Sequence, residues 1–198
     1  MRELVYYIAT TLDGFIAGPE GSFDFFPGDD TPGDDTPGDG LRDFADARFA
    51  DTIPTHVRAR LGIDPPRQRF DTAVMGRGTY QPALDIGVGS PYAHLRQYVV
   101  SSTLPPIADP GVELVADDPL GLVRRLKAEE GGDIWLVGGG TLAGRLLPEI
   151  DEIAMKRYPV AIGSGIPMIA GGFGPHTFEA AEHRAFDSGA VVSIYRRR

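Results

Sequence analysis

The run DIWLVGGGTLAGRLL, residues 133–147, constrains the chain more than any other: an apolar strand stops at three glycines and a helix begins directly behind them. Without Cβ atoms such a turn lets a phosphate approach the main chain. The first amides of a helix starting near Thr141 then point at the phosphate, with the positive end of the helix dipole behind them. A tight strand-to-helix turn that needs a positive φ and binds nothing produces the same pattern, so the triplet alone leaves both readings open.

Two further segments point the same way. DTAVMGRGTY, residues 71–80, reads as a β-branched strand ending at Gly76, followed by a short helix that Pro82 terminates or kinks. Arg77 brings a planar cation suited to a phosphate, and Thr79 adds a hydroxyl, although most single arginines end in surface ion pairs. RQYVVSSTLPP, residues 96–106, is a third strand and ends in Ser101, Ser102 and Thr103. Such hydroxyls suit the ribose or 2′-phosphate of a dinucleotide, though capping turns is their commoner work. Ligands of open α/β sheets gather at the carboxyl ends of strands, so three such strand ends in one chain reinforce one another. At the amino terminus, ELVYYIATTLDGFIAGPEG reads as a strand over 3–9 and then a loop in which Leu12, Phe15, Ile16 and Ala17 alternate with Asp13, Gly14 and Gly18. Flat apolar residues on such a loop suit a nicotinamide face; plain core packing is the alternative.

In this order and at these spacings the segments resemble the dihydrofolate reductase superfamily, in the branch related to the reductase domain of the bifunctional riboflavin-biosynthesis deaminase-reductase. IATTLDGFIA is similar to the family's first strand and nicotinamide-side loop, VMGRGTY to its arginine turn, VVSS to its adenosine-side strand end, and LVGGGTLAG to its pyrophosphate turn. IDEIAMKRYPVAIGSGIPMI resembles the strand that follows and its Gly-Ser-Gly-Ile-Pro turn. The resemblance implies NADPH as cofactor. It places Ala9, Ile16, Ala17 and Gly18 near the nicotinamide, and Ser101, Ser102 and Thr103 near the adenosine. Gly76, Arg77, Gly78 and Thr79 fall on the phosphates together with Val137, Gly138, Gly139, Gly140, Thr141 and Leu142. Gly138, Gly140 and Ala143 also satisfy G-x-G-x-x-A, but a Rossmann fold wants that motif in its first strand-turn-helix with an acid roughly 20 residues on. Here three strands precede it and the next acids, Asp151 and Glu152, come too soon.

Strands alternating with helices, then two final runs around a turn at 187–189, predict an α/β three-layer sandwich with a mainly parallel central sheet and an antiparallel C-terminal edge hairpin. One reductase domain is expected over residues 1–198. A net charge of −9 argues against a nucleic-acid partner. No apolar run approaches a membrane span and the start lacks a secretory signal, so a cytoplasmic protein is expected. There is no cysteine and the 4 histidines lack ligand spacing, so no metal site is expected. Exposed sheet edges and the habit of the family favour a homodimer. The tandem GDDTP repeat within residues 28–40 reads as a solvated loop placed to rim or cover the substrate pocket.

Hydride transfer also needs a proton, and a carboxyl in an apolar pocket would carry a suitably raised pKa. Asp13, in LDG, and Asp43, at the start of the helix after the acidic loop, are the catalytic candidates; a turn aspartate and a helix-start aspartate are their ordinary readings. Riboflavin-pathway domains usually carry a glutamate before the glycines, where this chain has Val137. Three readings follow: an NADPH-dependent reductase of a small pterin-like, pyrimidine-like or other carbonyl or imine substrate; the riboflavin-pathway 5-amino-6-(5-phosphoribosylamino)uracil reductase; and a non-catalytic NADPH-binding dimer.

Overall fold

The apolar runs are nearly continuous in the middle of the chain and alternate only at its end, and the sheet is built accordingly. In the computed structural model, which describes residues 1–26 and 39–198, eight strands form one sheet. They are β1 (Leu4–Thr10), β3 (Phe70–Gly76), β4 (Arg96–Val100), β5 (Val112–Val115), β6 (Asp133–Gly138), β7 (Glu152–Arg157), β9 (Phe178–Ala185) and β10 (Val191–Arg197), in the order β5-β4-β3-β6-β1-β7-β10-β9. The first six are parallel; β10 runs antiparallel to β7 and to β9. A second, two-stranded sheet joins β2 (Phe15–Ala17) to β8 (Ile166–Pro167).

Parallel strands covered on both faces carry apolar residues at every position. Leu4 and Tyr6 of β1, with Ile134 and Leu136 of β6, face α4 (Pro119–Ala128) and α5 (Gly140–Leu146). Val5, Trp135 and Val137 face the other way, toward α1 (Leu41–Phe49) and Tyr80 of α3 (Arg77–Asp85). α2 (Thr55–Leu61) follows α1 after a 3-10 turn. These layers are the predicted sandwich, and β9 with β10 is the predicted edge hairpin.

Two local expectations need correction. Pro82 does not end its helix, because α3 runs through it to Asp85; the proline removes the one bond its amide would have donated to the carbonyl four residues earlier, and the helix continues past it. The loop after β1 is partly strand, because residues 15–17 pair with a segment some 150 residues away. No helix among the described residues is long and apolar enough to cross a membrane. Residues 28–38 of the aspartate-rich repeat lie outside the described residues; Asp39 accepts hydrogen bonds from the Leu41 and Ser188 amides, which hold its carboxyl below the usual range together with the Ser188 side chain, the largest cause.

Candidate active site at the carboxyl ends of the strands

Four segments far apart in the chain become neighbours because β4, β3, β6 and β1 are consecutive in the sheet. Their carboxyl ends deliver Ser101–Thr103, Gly76–Thr79, Gly138–Leu142 and the loop after Thr10 along one edge. Arg77 Nη1 donates to Thr103 Oγ1 at 2.9 Å, joining two exposed side chains that the sequence separates by 26 residues. Met75 is the register partner of Gly138. A Cβ at Gly138 or Gly139 would lie 3.4 or 3.7 Å from Thr79 Oγ1, so the two glycine turns face each other.

The three glycines do different work. Gly138 has φ +144°, a conformation side chains rarely adopt, and the Gly138–Gly139 peptide is cis. The positive φ expected of the triplet belongs to this residue alone, since Gly139 has φ −91°. Gly140 is a packing position: a Cβ there would fall within the carbonyl of Pro167, and one at Gly144 within that of Ala170. Residues 167–170 lie directly on α5 in this way, fixed by Ala170 N donating to Gly140 O at 2.9 Å. Neither Gly76 before α3 nor Gly139 before α5 has a side chain to cap the helix, so the first-turn amides of both helices are directed at the shared edge. Val137 points its side chain into the buried core and meets the edge only through its backbone.

Ser101 is occupied locally, its Oγ accepting from the amides of Thr103 (3.2 Å) and Leu104 (3.1 Å). Ser102 is exposed. Ala9 is half-buried at the end of β1, and Ile16 and Ala17 lie in β2. Gly18 N donates to Ser22 O at 2.7 Å, so this loop is built by its own hydrogen bonds. Leu12, by contrast, turns outward and is 56% exposed.

Asp13 is no candidate for the acid of raised pKa. Its exposed carboxylate accepts from Thr11 Oγ1 (2.6 Å), Gly163 N (2.7 Å) and Ile162 N (3.1 Å). The Thr11 hydroxyl, followed by these amides, holds its pKa below the ordinary value. It is an anchor between the β1 loop and the turn at 162–163. Asp43 is exposed on α1 and lines a groove with Phe44, Arg48 and Arg184. One helical turn on, Asp46 lines a separate cavity of about 130 Å³ with Tyr7, Phe49, Leu61 and Lys156, and Arg42 Nε lies 3.6 Å from its carboxylate. Asp46 and Lys156, which line this cavity, are not among the residues singled out from the sequence. The helical phase of Phe49, three residues after Asp46 and buried against Tyr7 with ring centroids 4.0 Å apart, is the signal that could have found the first. A larger cavity, about 500 Å³, opens at the opposite, amino ends of the strands. Its arginines are ion-paired, Arg48 to Glu182 and both Arg69 and Arg196 to Glu152.

A model of the RibD C-terminal domain matches residues 2–192. The chain is 31% identical over 172 residues to the uncharacterised protein YwjB of Bacillus subtilis (strain 168), covering 84% of this chain and 82% of that one. It is 27% identical to YyaP of the same strain over 196 residues, 98% of this chain and 94% of that one. Among solved structures it is similar to a putative riboflavin biosynthesis protein from Shewanella sp. PV-4, with TM-score 0.70, 22% identity and 99% of each chain covered. It also resembles a diaminohydroxyphosphoribosylaminopyrimidine deaminase/5-amino-6-(5-phosphoribosylamino)uracil reductase from Thermotoga maritima (TM-score 0.63, 15% identity), covering 100% of this chain and 57% of that one. Dihydrofolate reductase from Enterococcus faecalis, complexed with NADP(H), gives TM-score 0.63 at 15% identity over 99% of this chain and 96% of that one. The fold is therefore that of dihydrofolate reductase.

Proposed function

The chain belongs to the RibD C-terminal domain family, and on that premise we propose that it is an NADPH-dependent reductase of a small substrate bearing a carbonyl or imine. The observation that carries the reading is the meeting of Gly76–Thr79, Gly138–Leu142, Ser101–Thr103 and the β1 loop at four adjacent strand ends. The residues present fit a dinucleotide. Gly138 leaves room that a Cβ would take from Thr79, open space adjoins Gly78, and Arg77 has no carboxylate partner among the described residues.

In this reading the α3 and α5 amides with Thr79 hold the pyrophosphate. Arg77 and Thr103, joined by their hydrogen bond, receive the additional phosphate that distinguishes NADPH from NADH. Ala9 and residues 16–18 flank the nicotinamide, which supplies the hydride when bound. The cavity between β1, β7 and α1 takes the substrate; Asp46 and Lys156 are its charged walls, and Asp13 holds the loop over its edge. The exposed strand β9 at the end of the sheet is the surface through which a homodimer forms.

A second reading, reduction of 5-amino-6-(5-phosphoribosylamino)uracil, is favoured by the family and by the Thermotoga relative that carries this activity in its name. The test is to titrate the purified protein with NADPH and with NADH, then follow NADPH oxidation with that uracil and with dihydrofolate. Tighter NADPH binding supports the cofactor assignment, and turnover of the uracil selects the second reading. Absence of NADPH binding defeats both.

A further inference from the structure

The last register pair of β1 and β7 is Thr10 with Arg157. Side chains alternate across a strand, so these two lie on the face that carries Ile8 and Met155 and looks toward α5, away from Ala9 and from the cavity proposed for the substrate. Thr10 is 1% exposed, and its Oγ1 has no hydrogen bond among the described residues; neither has the buried Nε of Arg157. The other arginines of the sheet strands are engaged. Arg96 meets Glu129 and Tyr98, Arg196 meets Glu152, Arg197 meets the Ile150 and Leu147 carbonyls, and Arg184 lies over the Phe44 and Phe186 rings. Arg157 has no bond, ion pair or ring contact among the described residues. Asp13, three residues after Thr10, is turned to the Thr11 hydroxyl and the amides of Ile162 and Gly163. A guanidinium keeps its charge and presents its donors in a planar fork, of which Nε is one member. Arg157 as a whole is half-buried, so the inner end of this fork is shut from water while the side chain still reaches the surface.

We propose that Thr10 and Arg157 form a binding site for one small oxyanion, a carboxylate or a phosphate, at the carboxyl ends of β1 and β7. Nε and its neighbouring Nη match two oxygens of either group side-on, and the Thr10 hydroxyl adds a third donor. A water molecule would fill the hydrogen bonds of both atoms and leave the charge unmatched. An oxyanion answers both needs, as Asp71 does for Arg2 and Glu152 for Arg69. The bound group stands beside the last bonds between the two chains, Tyr158 N to Thr10 O and Leu12 N to Val160 O, and so ties the start of the β1 loop to β7. It uses none of the groups assigned to the cofactor, which lie on α3, α5 and the end of β4.

Calorimetry of the full chain with sodium phosphate and with sodium acetate, at an ionic strength held constant with chloride, reads the site directly. At least one of the two anions is expected to bind the wild-type protein, and the tighter one identifies the kind of group recognised. Arg157→Met should weaken that binding about tenfold or more, the scale of a charge-assisted contact. Arg157→Lys, which keeps the charge and loses the fork, and Thr10→Val, which keeps the shape and loses the hydroxyl, should each weaken it about threefold or more. Without the anion, Thr10→Val should melt no lower than wild type, because it removes a buried hydroxyl that has no partner, and this separates loss of the site from loss of the fold. Failure of the wild type to bind either anion, or equal binding by wild type and Arg157→Met or by wild type and Thr10→Val, would overturn the inference. So would phosphate binding that Arg77→Ala abolishes and Arg157→Met leaves intact, since that anion would sit at the proposed cofactor edge.

Discussion

The two edges of the parallel sheet use the same kinds of residue to opposite ends. At the amino edge, polar groups are saturated. The Arg2 guanidinium bonds Gly132 O and Thr72 Oγ1 and pairs with Asp71. Arg69 reaches Glu152 (2.6 Å), Asp133 (2.8 Å) and Glu3 (3.3 Å). Buried Asp51 accepts the amides of Arg69 and Phe70 as the chain enters β3. At the carboxyl edge, Arg77 meets only a hydroxyl among the described residues, and two helix starts lack side-chain caps. The two buried side-chain atoms left without a hydrogen bond among the described residues, Thr10 Oγ1 and Arg157 Nε, belong to register partners at this same edge. Buried polar groups are normally satisfied, so on the proposed function the saturated edge is the frame and the unsaturated one the place for a ligand.

The sharpest way to break that comparison is at Arg69. The Glu152 side chain is 2% exposed, and without Arg69 it would keep only Arg196 at 3.3 Å. Arg69→Met should cost about 3–5 kcal/mol of folding stability by stranding a buried charge, measured by urea unfolding, with NADPH affinity unchanged in the folded protein. A double variant with Glu152→Gln should recover part of the loss. A large fall in NADPH affinity without destabilisation would place function at the wrong edge.

Adjacent glycines sharpen the contrast within the site. Gly140→Ala drives a methyl into the Pro167 carbonyl and should destabilise by about 1–3 kcal/mol. Gly139→Val, whose Cβ would sit 3.7 Å from Thr79 Oγ1 with φ already negative, should leave the fold intact and abolish NADPH binding. The comparison fails if both variants lose stability equally. Arg77→Ala should lower NADPH affinity by about 1–3 kcal/mol and NADH affinity less, with unfolding unchanged because the side chain is exposed. Equal losses for the two cofactors would remove Arg77 from the additional phosphate.

What could be read from residues alone follows from range. Apolar runs and the glycine turns are local, and they locate β1, β3, β4 and β6 to within two residues. The sheet order that makes the strand ends converge is tertiary, and so is the packing of residues 167–170 on α5 that requires Gly140 and Gly144. Asp43 is a good helix-start carboxylate in sequence, and Asp46 is the next acid along the same helix. Only the rotation of α1 about Phe44 and Phe49 decides that the second faces Tyr7. Lys156 sits in a strand that alternates poorly, MKRYP, and carried no signal until its register with Ala9 was known.

Asp13 is the exception at the carboxyl edge, because its carboxylate is saturated there, and it offers the smallest test. Thr11 Oγ1 and the amides of Ile162 and Gly163 stabilise its charged form, so the folded pKa lies below the ordinary 3.8. A depressed carboxyl pKa stabilises the fold fully above the unfolded value, and that contribution disappears as pH falls from about 3.8 through the lower folded pKa. In wild type the melting temperature should therefore drop over this window. Asp13→Asn, which keeps the shape but cannot titrate, should melt slightly lower at neutral pH and lose less on acidification. The carboxylate is fully exposed, so the difference will be small and best read as the change in slope between the two proteins. Identical slopes would show that Asp13 anchors nothing. A slope change accompanied by unaltered NADPH affinity at neutral pH would assign Asp13 to the frame, although it stands at the edge where the site is proposed.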